Sequence, residues 1–145
     1  ALCAARLAEL TGEPQWAERR DALVRTFAGS AVQLGVFGAT FLQALDWSVH
    51  PATHLVIVEG DGADAVAAAN GMHRQAFRSF FPRRVLHRVT ASGAPRASLP
   101  AAVRGMLGAG SGTRAYACVG ATCQAPATTL AAWAATLERL KSRPG

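Results

Sequence analysis

A mostly helical segment followed by a small α/β unit is the fold class this sequence predicts. Three features predict it. Apolar residues recur at helical spacing through residues 1–49. A short β-branched run, His54-Leu55-Val56-Ile57-Val58-Glu59, then breaks that period. A strand, a helix and a second strand follow within about 35 residues, the length of a βαβ unit. Pro51 divides the two parts, giving residues 1–49 as helices and 54–145 as the α/β region.

Leu2, Cys3, Leu7 and Leu10 mark the first helix, and Thr11-Gly12-Glu13-Pro14 the turn after it. Glycine can stop one helix, and proline suits the first position of the next. Trp16, Arg20, Leu23, Val24 and Phe27 share one face of a second helix that ends near Gly29. Glu18, Arg19, Asp21 and Arg25 fall largely on the other side. These two helices form an antiparallel hairpin. A third helix is expected from Leu34 to Val49. Leu34, Val36, Phe37, Phe41, Leu42, Ala44, Leu45 and Trp47 surround most of it. A helix apolar nearly all round is expected to be buried on several sides. Two preceding helices cannot provide that cover, so neighbours outside these residues are expected.

After the first strand, Gly60-Asp61-Gly62 turns the chain into a helix over residues 63–79. Val66, Ala69, Met72, Ala76 and Phe80 share its face, and Asn70 and Gly71 weaken it. Val85 to Val89 reads as a second strand, parallel to the first through a right-handed crossover. Residues 91–97 are a polar loop, Leu99 to Leu107 a short helix and Gly108–Gly112 a turn. Arg114 to Val119 is a third strand and Gln124 opens a fourth segment. Thr128 or Thr129 caps a last helix with Leu130, Trp133, Leu137 and Leu140 on one face. Ser142 to Gly145 is a frayed end.

Half of the 145 residues are hydrophobic and 17% are charged, which suits a packed chain and argues against disorder. No apolar run reaches the roughly 18 residues of a membrane span. The start shows no secretory pattern of a charged stretch before an apolar one. With three cysteines, an odd and low number, a reduced cytoplasmic setting is expected rather than a disulfide scaffold. The net charge of +6 is uneven, with no Asp or Glu between Asp64 and Glu138. Arg74, Arg78, Arg83, Arg84, Arg88, Arg96, Arg104 and Arg114 lie in that gap. A basic surface can attract polyanions. Aromatic residues do not interleave with these arginines as a stacking platform requires, so nucleic-acid binding is not expected.

The chemistry-bearing residues are few. Cys118 and Cys123 flank a turn between strands. Zinc needs four ligands, and neither Cys3 nor the scattered His50, His54, His73 and His87 supply a second pair, so no metal is assigned. Redox pairs usually show CxxC at a helix start. Structural thiols and a cross-hairpin disulfide both remain open, the latter if the Cα atoms lie within about 7 Å. Asp46, beside Trp47, is a candidate catalytic carboxylate whose pKa burial would raise unless it is paired. The plain alternative is a helix-end carboxylate bonded to an arginine or backbone. Gly60-Asp61-Gly62 lacks the third glycine of a dinucleotide fingerprint and the Gly-Lys-Ser/Thr of a phosphate loop, so it reads as a βα turn. No serine sits in a Gly-x-Ser-x-Gly frame, and no cofactor is assigned.

One stretch is more specific: Ala115-Tyr116-Ala117-Cys118, then Thr122-Cys123-Gln124-Ala125-Pro126. With Leu7-Ala8-Glu9-Leu10-Thr11-Gly12-Glu13-Pro14, Ala44-Leu45-Asp46, Leu55-Val56-Ile57-Val58 and Phe80-Phe81-Pro82, it resembles the C-terminal end of the thioredoxin-domain-containing proteins related to spermatogenesis-associated protein 20. The resemblance covers nearly the whole chain. It implies an N-terminal thioredoxin-like domain and a six-hairpin (α/α) barrel, similar to glycosidases and sugar 2-epimerases, ahead of these residues. Residues 1–49 would be the last barrel helices and 54–145 a small α/β C-terminal region. The chain would be a structural portion without independent catalysis, its partners the missing N-terminal domains of the same protein. Alternatives are a part of a carbohydrate-active enzyme using Asp46 and a thiol-redox protein using Cys118 and Cys123; the small-molecule substrate is unknown.

Overall fold

The computed structural model describes residues 1–90, 99–108 and 111–142. The loop expected over 91–97, Arg96, part of the 108–112 turn and the end of the chain from 143 lie outside the described residues. Among the described residues, six α-helices accompany a four-stranded mixed sheet.

The helical hairpin forms as its punctuation dictates. Helix α1 spans Leu2–Thr11 and α2 Pro14–Phe27. Gly12, at φ 70°, closes α1 in the left-handed region, and its N–H donates to the Ala8 carbonyl. Pro14 stands at the first turn of α2, where a missing N–H leaves no bond unmade. No residue of α2 is buried.

The third helix departs from the expectation. A 3₁₀ segment runs Ala28–Gly38, and α3 begins only at Ala39, ending at Val49. Gly35, at φ 51° and ψ −129°, breaks the helical path. Glycine alone adopts that conformation without strain. Nor is this region buried on several sides. Ala44 and Trp47 are buried, but Val36 is 81% exposed, Phe37 86%, Leu42 57% and Val49 62%. The apolar pattern is real, but the chain's own helices meet only one side of it.

The α/β unit follows its sequence closely. Strands β1 (Thr53–Glu59) and β2 (Arg84–Thr90) are parallel and joined through α4 (Ala63–Arg78). Helix α5 covers Ala101–Met106. Strand β3 (Arg114–Val119) runs antiparallel to β1. Strand β4 is Thr122–Cys123, two residues earlier than the segment expected from Gln124, with an added bridge between Ala115 and Ala127. Helix α6 is Leu130–Lys141, capped by the Thr129 hydroxyl, which accepts from the Ala132 N–H at 3.1 Å. The strand order is β2-β1-β3-β4, so β1 is central. Leu55, Val56, Ile57 and Val58 are all fully buried, as a strand covered on both faces requires.

One face of the sheet packs Leu55, Ile57, Ala115 and Ala117 against Ala69, Met72 and Ala76 of α4 and Trp133, Leu137 and Leu140 of α6. The Trp133 indole N–H donates to the Met72 carbonyl at 3.0 Å, which satisfies its polar edge inside this core. Asn70 and Gly71 do not interrupt α4. A Cβ on Gly71 would stand 2.7 Å from Leu130 Cδ2, so the missing side chain lets α6 approach. The other face packs Val56, Val58, Val89 and Tyr116 against Val103 and Leu107. Beyond them, Ala5 of α1, Trp47 of α3, Ala52 and Val85 join the helical segment to the start of β2.

Candidate functional site

The Cys118–Cys123 hairpin is built from its turn outward. Val119 pairs with Thr122, leaving a two-residue loop of Gly120 and Ala121. Gly120 has φ 56° and Ala121 does not share its sign, the arrangement of a type II′ turn with glycine first. Cys118 then lies directly opposite Cys123. The Gln124 N–H donates to the Ala117 carbonyl at 2.9 Å, so the cysteine pair falls between ladder bonds, where side chains approach most closely. The two Cα atoms are 4.0 Å apart and the sulfurs are bonded. Of the two readings left open by the sequence, the disulfide is therefore the one the structure contains. Cys118 is a buried residue and Cys123 an exposed one. Cys3 is a free, exposed thiol elsewhere.

The register of β1 against β3 brings a histidine to this pair. His54 is directly across from Cys118, on the same face of the sheet. His54 Nε2 hydrogen-bonds Glu9 Oε2 of α1 at 2.9 Å. That bond holds the Glu9 carboxyl below its ordinary value, with burial opposing and the nearby His54 and Arg20 charges assisting. The His54 ring stacks on that of His87 in β2, with centroids 6.3 Å apart and planes at 4°. His87 is 7% exposed. Burial, then the neighbouring His54, pushes its pKa below the ordinary value. Its Nε2 and the Tyr116 hydroxyl, on the same face, are buried without a hydrogen-bond partner among the described residues. Glu9, His54, His87 and the cysteine pair are thus drawn together from five elements, α1 and all four strands. The sequence pattern shows His54 and His87 only as two of four scattered histidines and does not single out Glu9. The interruption of two greasy strands by a histidine was the only signal available.

Asp46 is not part of this cluster. Arg83 Nη1 donates to both its carboxylate oxygens, at 2.8 and 2.7 Å, and His50 Nδ1 stands 3.0 Å away. The Arg83 hydrogen bond, outweighing partial burial, holds the Asp46 carboxyl below the usual carboxylate range. A paired, ionised group is no proton donor, and burial beside Trp47 does not raise it. Arg83 also donates to the Pro51 carbonyl, so the trio ties the end of α3 to the entry of β2. An open cavity of about 430 Å³ lies nearby, among Arg6, Trp47, Phe77, Phe81 and Arg84, but Asp46 does not line it. Arg84 itself donates to the Ala76, Phe77 and Ser79 carbonyls that end α4.

The other arginines of the basic middle are partly used up inside the fold. Arg88 donates to Glu59 and to Asn70, and Arg114 is buried and donates to the Ser111 carbonyl. Among the described residues, no group of three or more His, Cys, Asp or Glu is placed to hold a metal. None of the described helices is long and apolar enough to cross a membrane. The Gly60-Asp61-Gly62 turn has a packing reason: a Cβ on Gly60 would stand 2.6 Å from the Gly112 carbonyl carbon. The Gly60 N–H donates to Thr113 Oγ1, which in turn donates to the Ala65 carbonyl.

Comparison with known proteins leaves the site to be read from its own geometry: no protein-family model, curated protein or solved structure matches this chain.

Proposed function

We propose that this chain is the C-terminal structural portion of a multidomain, cytoplasmic, thioredoxin-domain-containing protein, with residues 1–49 as the last helices of a six-hairpin (α/α) barrel. The observation that carries the reading is the uncovered apolar strip of Val36, Phe37, Leu42 and Val49. Large apolar side chains left this exposed mark a surface that meets another protein surface. Preceding barrel helices of the same protein are the neighbours that such a strip fits. The pairing of Asp46 with Arg83 occupies the carboxylate on which the carbohydrate-active alternative depends.

The test compares amide exchange over residues 34–49 in the 145-residue chain and in the longer protein. The reading expects protection to rise in the longer protein. Equal exchange in both, or an upstream reading frame without a CxxC-bearing domain and further helical hairpins, removes it.

A second reading has its own support. The disulfide joins a buried residue, Cys118, to an exposed one, Cys123. In a reducing compartment a disulfide that forms is usually transient, catalytic or sensing. The pair accordingly works as a thiol-redox couple. Mass mapping under defined ratios of reduced to oxidised glutathione tests it, and a pair that never opens or never closes sinks it.

A further inference from the structure

We infer that His54, held by Glu9, is the acid–base partner of the Cys118 thiol when the disulfide exchanges with an external thiol, and that Cys123 is the sulfur attacked. This rests on the thiol-redox reading and assigns its chemistry.

Three placements carry the assignment. Cys123 is exposed and Cys118 buried, so an incoming thiolate reaches Cys123 first. His54 stands directly across the sheet from Cys118, at the separation of opposed side chains, about 4.5–5.5 Å between Cβ atoms. The His54 Nε2 is occupied by Glu9, at 2.9 Å, which leaves Nδ1 as the ring nitrogen that can exchange a proton. A carboxylate on one imidazole nitrogen fixes the tautomer and orients the ring, the logic of nucleophile, base and orienting acid. The groups that face His54 are Glu9 from α1, with Arg20 of α2 beside that carboxylate, His87 from β2 and Cys118 from β3.

The exchange balances as follows. An external thiolate attacks Cys123 Sγ, forming a mixed disulfide and breaking the Cys118–Cys123 bond. The electron pair leaves on Cys118 Sγ, and His54 gives that thiolate a proton. A second external thiolate attacks the external sulfur of the mixed disulfide, releasing Cys123 as a thiolate that takes a proton from solvent. Two external thiols are oxidised to one disulfide, and the cysteine pair gains two electrons and two protons. In the reverse direction His54 removes the Cys118 proton, and the thiolate closes on the mixed disulfide. A better leaving thiolate leaves faster, so the neighbour of the buried sulfur sets the rate.

The test uses the 145-residue chain with reduced glutathione as the thiol. His54→Gln is expected to slow opening of the disulfide roughly three- to tenfold, the effect of raising the leaving thiol by one to two pH units at a Brønsted slope near 0.5. Glu9→Gln is expected to slow it less. In a Cys123→Ser background, thiolate absorbance of Cys118 is expected to rise at lower pH with His54 present than with His54→Gln, which returns it toward the ordinary thiol value of about 8.5. Equal opening rates and equal thiolate titrations in all variants overturn the His54 assignment and leave the redox couple standing. A disulfide that glutathione never opens, or that never forms, overturns both.

Discussion

The α/β unit and the helical segment put similar proportions of apolar residues to different ends. Strand β1 sinks four consecutive side chains completely, and Trp133, Met72 and Leu137 close over one face of it. Helix α2 buries none of its fourteen residues, and the 3₁₀ segment and α3 leave Val36 and Phe37 almost bare. The contrast teaches that apolar content does not make a core by itself. A sheet offers two faces that helices can cover from both sides, whereas three short helices around one another leave an outer surface.

That contrast can be broken most severely at its buried end. Trp133→Ala removes a fully buried indole and its hydrogen bond to Met72, and a loss of about 3–5 kcal/mol is expected in denaturant unfolding. A loss under about 1 kcal/mol would place the core elsewhere. Gly60→Ala forces a Cβ into the Gly112 backbone, and an expected cost of about 1–3 kcal/mol is read as a lower midpoint at unchanged slope. A normal midpoint would show that the two turns do not meet.

Acidification probes the seam. The His87 pKa lies below its ordinary 6.5 in the fold, so as pH falls below that value the unfolded chain takes up the proton first. Its contribution to stability is present above about pH 6.5 and is lost as pH falls toward the folded value. A lower Tm at about pH 5.5 than at about pH 7.5 is expected, and His87→Gln flattens that slope. A slope unchanged by the substitution assigns it to another group. Asp46→Asn, at a tie more than a third exposed, is expected to cost only about 0.2–1 kcal/mol. Smallest of all, Phe37→Ser is expected to stay within about 0.5 kcal/mol in the 145-residue chain, because its side chain is already in solvent. A larger loss would mean that the helical segment covers its own strip.

Much of the fold was legible where local rules act alone. Gly12 and Pro14 located the helical hairpin, the β-branched run located β1, and the Thr128-Thr129 pair marked the start of α6, where Thr129 is the cap. The third helix was misjudged because Gly35 breaks a periodic apolar run that still looks continuous on paper. Asn70 and Gly71 were read as weak points, yet Gly71 is where Leu130 packs. At the candidate site, the turn between Cys118 and Cys123 is local and was readable, but the choice between free thiols and a bond was not.

The sequence by itself determined the order of elements, the parallel β1–α4–β2 unit and a turn between Cys118 and Cys123, because hydrophobic period, β-branching and glycine conformation act over a few residues. Only the tertiary structure decided that His54 faces Cys118, that Glu9 reaches His54 and that Arg83 holds Asp46. Those contacts join residues 37 to 64 positions apart in the chain. Strand register and helix docking fix them through the packing of the whole core, which no local pattern encodes.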